Sequence, residues 1–261
     1  MTHIKTDIYR DTMPAEALYV LGLGDDSLVL GQRWSEWLSK APALELDIAS
    51  SNLSLDLIGQ AQLLLGLAGE REGAGRDADM LAYKRDAMQF RNHLLVEQPN
   101  IDWGVTIARQ VLFSCYQYLL FERLAESPDE RLAEIAAKSL KEIAYHRRFS
   151  ADWLVRLGQG TEESARRVQK GLDRLWRFSG ELFETTSIEE DLAPKGKAVR
   201  AEDLKSDWDA DIDAILSRAG LRRPESKQMI TGRMAGHHTE HLGHMLAEMQ
   251  FLQRAYPGAK W

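Results

Sequence analysis

Apolar residues recur every three to four positions along most of the 261-residue chain, the spacing that gives a helix one apolar face. From Ala15 to Ser39 the face carries Leu18, Gly22, Asp25, Val29, Gln32 and Glu36. A second helix is predicted from about Leu44 to Glu70, with Ala49, Leu53, Asp56, Gln60, Leu63 and Leu67 on one stripe. Residues 71–101 hold a glycine-containing break, REGAGRD, and a shorter helical piece at about Met80–Leu94. Long helices are predicted again at Trp103–Glu126 and Glu130–Leu157; in the latter Ile135, Ser139, Glu142, His146, Phe149 and Trp153 share a face. Three more are expected at Glu162–Phe183, Ala201–Ala219 and Glu225–Tyr256. The seven prolines fall between these pieces, because proline costs about 3 kcal/mol inside a helix and little at its first turn.

No stretch alternates for long as a strand would. Two long helices, a long connection and two more long helices give the order of a ferritin-like bundle, in which one crossover joins two antiparallel pairs. The predicted fold is therefore all-α: a ferritin-like four-helix bundle with a long crossover and additional C-terminal helices. It forms a single helical domain over 1–261, with its core bundle at about 15–157 and extra helices at about 161–256.

Composition narrows the function classes. No apolar run approaches the roughly 18 residues that mark a membrane span, and the N-terminal MTHIKTDIYRDT lacks the apolar segment of a secretory signal. A cytoplasmic, membrane-free protein is expected. The net charge of −7, with bases dispersed among acids, argues against a nucleic-acid partner. Cys115, the only cysteine, allows no internal disulfide and no thiolate-rich metal site, and its apolar setting marks it as a buried small residue.

A ferritin-like di-iron site needs a Glu from each of two helices and Glu-x-x-His from each of two others, since residues three apart project from one helical face. No His in this chain has an acid three positions before it. The nearest analogues are Asp56 with Gln60 on the second helix and Glu142 with His146 on the fourth. Gln60 and His146 each stand one residue, about 100° of helical rotation, past the required slot. The first and third helices offer Gln32 or Glu36 and Gln110 or Gln117, and amides are weak ligands for iron. Two readings stand: a weakened metal site, or polar groups bonded to one another where a metal would otherwise sit. On the second, Asp56 and Glu142 are expected to be buried and partnered, because an unpaired buried carboxylate is costly. No catalytic residue and no metal ligand is assigned.

Near the C-terminus, in GHHTEHLGHMLAEMQ, His237, His241, His244 and Glu248 fall at helical offsets and form one stripe beside an apolar face of Leu242, Met245, Leu246, Met249 and Leu252. A linear stripe seldom converges on a metal; a face packed on a neighbouring helix or a partner is the other reading. Arg174, Arg177, Arg222 and Arg223 either meet an anionic partner or form part of a solvated mixed-charge surface, which is the default.

Several long motifs then fall in one order: LGDDSLVLGQRWSEW, SLDLIGQAQ, LLVEQPN followed by TIARQ, KEIAYHRRFSADWLVRLGQGT, LWRFSGELF and HTEHLGHMLAEMQFLQRAYPG. In these the chain resembles, over nearly its whole length, the C subunits of the bacterial ring-1,2-phenylacetyl-CoA epoxidases, the phenylacetate-CoA oxygenase complexes. The resemblance implies a non-catalytic structural subunit that binds and stabilises a homologous catalytic A subunit within a multicomponent monooxygenase acting on phenylacetyl-CoA in phenylacetate catabolism. It also implies other epoxidase subunits as partners, no cofactor in this chain, di-iron in the catalytic subunit, and flavin and iron–sulfur in a separate reductase. Alone, the chain is either a homodimer or a monomer. The competing reading is a ferritin-like oxygenase with its own atypical metal site.

Overall fold

Five of the ten α-helices among the described residues start at a side-chain cap. The structure, a computed structural model, describes residues 13–226 and 228–259; the N-terminal MTHIKTDIYRDT stretch lies outside them. The first pair is α1 (Ala15–Ser35) and α2 (Leu44–Glu72), and the crossover contains α3 (Ala78–Tyr83), whose first turn is capped by Asp77 accepting from Met80 N at 2.8 Å. The second pair is α4 (Trp103–Leu124) and α5 (Glu130–Gly158). Asp102 accepts from Val105 N at 2.8 Å and Asp129 from Leu132 N at 3.2 Å, satisfying amides that the helix itself leaves free. Thr161 and Ser164 form a reciprocal cap on α6 (Glu162–Leu175), and Thr186 with Glu189 does the same for α7 (Ser187–Leu192). α8 (Lys205–Ala219), α9 (Glu240–Met249) and α10 (Phe251–Ala255) complete the order, and no described residue is in a strand.

The short α1–α2 and α4–α5 connections make each pair antiparallel, and the two pairs face one another through α2 and α5. This is the ferritin-like arrangement. α6 and α8 cover the α4–α5 layer, while α7 lies on α1. Close approach of α6 to α4 requires small residues: a Cβ on Gly171 would stand 3.0 Å from Val105 Cα, and one on Gly104 3.2 Å from Val168 Cα. The core is continuous from Leu18, Leu30 and Trp34 through Leu53, Leu64, Phe113 and Leu154 to Leu172 and Trp208. Cys115 is fully buried, and burial pushes its thiol up to about 12, which fits a packing residue and not a nucleophile. No described helix is long and apolar enough to cross a membrane.

Three expected helices come out differently, where groups from elsewhere in the chain bond the backbone that a helix would use. The Met80–Leu94 helix is replaced by α3, a 3-10 turn at Ala87–Gln89 and irregular backbone. Asp25 accepts from Arg91 N at 2.8 Å, Asp26 from His93 N at 2.7 Å and Glu181 from Leu94 N at 2.7 Å, so those amides are not free for helical bonds. The Glu162–Phe183 helix stops at Leu175 and continues as 3-10 turns, since Arg177 O accepts from Ile230 N at 2.8 Å. In place of a helix over Glu225–Tyr256 the described residues from 228 run irregularly to Thr239, with a 3-10 turn at Arg233–Ala235 and Gly236 at φ 67°, before α9 and α10.

Candidate functional site

At the bundle centre, α2, α4 and α5 bring a row of polar side chains together. His146 Nε2 lies 3.1 Å from Asp56 Oδ2, Gln60 Nε2 donates to Glu142 Oε2 at 2.9 Å, and Gln117 Nε2 donates to Gln60 Oε1 at 3.3 Å. Deeper in, Trp34 Nε1 donates to Gln110 Oε1 at 2.6 Å and the hydroxyls of Ser114 and Ser150 meet at 3.2 Å. The four residues singled out from the sequence thus bond across α2 and α5. Their burial is uneven. Gln60 and His146 are buried, but the Asp56 side chain is 33 % exposed and Glu142 is half-buried, contrary to the expectation that both acids are enclosed. The reason is their place at the margin of the α2–α5 seam, next to exposed Leu55 and Tyr145.

That donor set does not fit a di-iron centre. Such a centre draws on four carboxylates and two imidazoles converging from four helices. Here the inward positions of α2 and α4 are the amides Gln60, Gln110 and Gln117, and the two acids present are already engaged with His146 and Gln60. The half-exposure of Glu142 also sets the scale of its contribution. Glu142→Ala, which leaves the buried Gln60 amide without its acceptor, is expected to cost about 1–2 kcal/mol in denaturant unfolding. No loss, or a loss above about 3 kcal/mol, would contradict the partnered, half-buried placement.

The C-terminal stripe is not assembled. His237 precedes α9 and is exposed, His244 and Glu248 point to solvent, and His241 is half-buried, its carbonyl accepting from Arg33 Nη2 at 3.2 Å. One continuous helix is what the stripe required, and α9 begins only at Glu240 because Thr239 is held by Glu97: its amide donates to Oε1 at 2.6 Å and its hydroxyl at 2.7 Å.

Besides His146, the fold engages His93 and His238, in a buried ionic system joining α1, the crossover and the segment before α9. Asp26 Oδ2 lies 2.8 Å from His93 Nδ1, and His93 Nε2 lies 2.8 Å from Arg233 Nη1. A guanidinium only donates, so Nε2 accepts and Nδ1 carries the proton towards Asp26. Burial alone would lower Arg233; the nearby Asp26, Glu189 and Glu181 outweigh it and hold the guanidinium above its ordinary range. Glu97 gathers Asn92 Nδ2 at 3.0 Å, His238 Nδ1 at 2.8 Å and Thr239. Arg109, fully buried, donates to Asn100 Oδ1 at 2.7 Å and to Gln98 O, and burial with the like charge of Arg33 pushes it down to about 9. The available sequence signal was the presence of acids inside apolar runs, Asp25-Asp26 in the first helix and Glu97 in LLVEQPN.

Among the described residues, α2 carries a row of exposed apolar side chains. On α2, Leu44 is 72 % exposed, Ile48 55 %, Leu55 67 % and Leu63 36 %, and Gly59 and Gly66 on the same side have nothing within 4 Å of where a Cβ would stand. These residues extend over about 28 Å of helix. Large apolar side chains exposed in one row are unusual on the surface of a single chain.

A family model described as phenylacetic acid catabolic protein matches residues 1–261. The C subunit of the 1,2-phenylacetyl-CoA epoxidase of Escherichia coli (strain K12) is 49 % identical over 243 residues, covering 93 % of this chain and 98 % of that protein. The all-helical, ferritin-like bundle and these two likenesses agree: the chain belongs to the phenylacetic acid catabolic protein family.

Proposed function

We propose that this chain is a non-catalytic subunit of a phenylacetyl-CoA-epoxidising oxygenase, and that it binds and stabilises the homologous di-iron catalytic subunit. The observation that carries this reading is the donor set between α2, α4 and α5, where amides and two acids already bonded to His146 and Gln60 are what the chain offers in place of the free carboxylates and imidazoles of a di-iron bundle. The exposed α2 row supports it, since a helical bundle set against a related one buries a large, apolar, obligate-type interface of roughly 2,000 Å² or more. In this reading the chain's work is to hold the partner's helices in the geometry its metal chemistry needs. Other epoxidase subunits and a flavin and iron–sulfur reductase complete the assembly.

Leu55→Asp, at a 67 % exposed position, is expected to leave the fold intact while reducing, by at least tenfold, capture of the co-expressed catalytic subunit. Unfolding and size-exclusion profiles of the isolated variant check the first part and affinity capture the second. Equal capture by wild type and variant would remove α2 as the contact. The functional assignment itself is tested by mixing this chain, the catalytic subunit, the reductase, NADPH and phenylacetyl-CoA with one component omitted at a time. Epoxidation without the catalytic subunit, or about two irons per chain in the purified protein, would overturn it.

A further inference from the structure

The outer face of α6 and the turn after it carry a cationic row in which only Arg167 has an acidic partner. Arg167, Lys170 and Arg174 are exposed and follow one another at one-turn spacing over about 10 Å of α6, and Arg177, in the 3-10 turn Trp176–Phe178 that follows, is exposed as well. The neighbouring acids are already engaged: Glu163 is shared by Arg166 and Arg167, Asp173 pairs with Arg222 at 2.7 Å, and Asp213 pairs with Arg223 at 2.6 Å. Lys170, Arg174 and Arg177 have no acidic partner among the described residues. A solvated mixed-charge face neutralises itself locally, as Arg222 and Arg223 do; this row does not, in a chain whose net charge is −7.

A second feature adjoins the row. Met229, 43 % exposed, lies across Gly180, its Cγ 2.7 Å from where a Cβ would stand, and the next residue is tied down by Ile230 N donating to Arg177 O at 2.8 Å. An apolar side chain is thus fixed at the end of the row where Arg177 stands. Cations strung along a helix do not converge on one small anion, and a short row on an acidic protein is a poor nucleic-acid site. A protein surface carrying carboxylates around an apolar contact fits both features.

We propose that the outer face of α6 docks an acidic protein component of the same oxygenase, distinct from the catalytic subunit, with carboxylates meeting Lys170, Arg174 and Arg177 and an apolar side chain meeting Met229. This rests on the reading of the chain as a supporting subunit. It deepens that reading: α2 packs on α1 and α5 whereas α6 packs on α4 and α5, so the two faces belong to different layers and one chain joins two partners.

The test measures binding of wild type, of K170E/R174E, of M229A and of the charge control K138E on α5 to each other oxygenase component purified separately, at about 50 and 300 mM NaCl. Expected is one component besides the catalytic subunit whose affinity falls at least tenfold with salt and at least tenfold in K170E/R174E, falls in M229A, and is unchanged in K138E. Binding to the catalytic subunit stays at the wild-type level. The proposal is overturned if no such component responds, if K138E has the same effect, if the double variant loses the catalytic subunit instead, or if only DNA or polyphosphate binds in this charge-dependent way. Loss of circular dichroism signal in the double variant would move the test to K170Q/R174Q, with the same outcomes. Complete failure of wild type to bind the catalytic subunit would instead strike the reading beneath the proposal.

Discussion

Glu181→Ala is expected to lower the unfolding free energy by about 3–5 kcal/mol, far more than a typical single change. Glu181 sits in the 3-10 turn Gly180–Phe183 and is 3 % exposed. One of its oxygens accepts from Leu94 N at 2.7 Å, and the other accepts from Gly232 N at 2.8 Å and Arg233 N at 2.9 Å. A single carboxylate thereby ties the crossover and the segment before α9 to the chain that follows α6. Alanine leaves those amides buried without acceptors and removes an anion close to the buried Arg233 guanidinium. Hydrogen exchange at Leu94, Gly232 and Arg233 is expected to accelerate before the bundle helices open. A loss under about 1 kcal/mol, or exchange unchanged at those amides, would show that the carboxylate does not join the segments.

Asp25→Ala is expected to cost a similar amount, about 3–5 kcal/mol, because it strands a charge. Asp25 is fully buried and Arg85 is 2 % exposed. Their side chains form a two-pronged pair, with Arg85 Nη1 donating to Oδ2 at 2.9 Å and a shorter contact between Nη2 and Oδ1. Arg85 also lies 4.2 Å over the Phe90 ring and donates to the Gln89 carbonyl at 2.9 Å, so it cannot swing out to water without unmaking the crossover. Most of the cost is the uncompensated guanidinium, and a second change should therefore relieve it. D25A/R85M is expected to recover part of the stability lost in D25A alone, measured by denaturant unfolding in a double-mutant cycle. Strict additivity of the two single losses would show that the two side chains do not interact.

These expectations concern the scaffold, and the scaffold positions the surfaces on which the proposed function depends. Asp25 and Asp26 pin the crossover to α1, Glu97 joins the crossover to the segment before α9, and Glu181 ties both to the chain after α6, while the rows on α2 and α6 stay exposed. A large polar investment in fixing loops is consistent with a subunit whose faces must be presented rigidly to other chains.

The bundle itself was legible in the chain. The placement of α1, α2, α4 and α5 follows from apolar spacing, from capping residues such as Asp102 and Asp129 and from Pro14, Pro42, Pro99 and Pro128, all of which act within a few residues along the backbone, although α1 ends at Ser35 and not at the expected Ser39. The meeting of Asp56 with His146 and of Gln60 with Glu142 was also within reach, since residues on inward stripes of two predicted helices have few other places to point. Their degree of exposure was not, because it depends on which side of the α2–α5 seam lies open. The expected histidine stripe failed for a related reason: local periodicity favoured one C-terminal helix, but Glu97, 142 positions away, holds the Thr239 amide and makes that residue a helix start. Asp26 with His93, Glu181 with Leu94 and Arg233 with His93 join segments 67, 87 and 140 positions apart. Sequence spacing carries no information on such pairings; they exist only once the helices have packed and removed water from the acids, so that each must find a donor in whatever backbone or side chain packing has brought beside it.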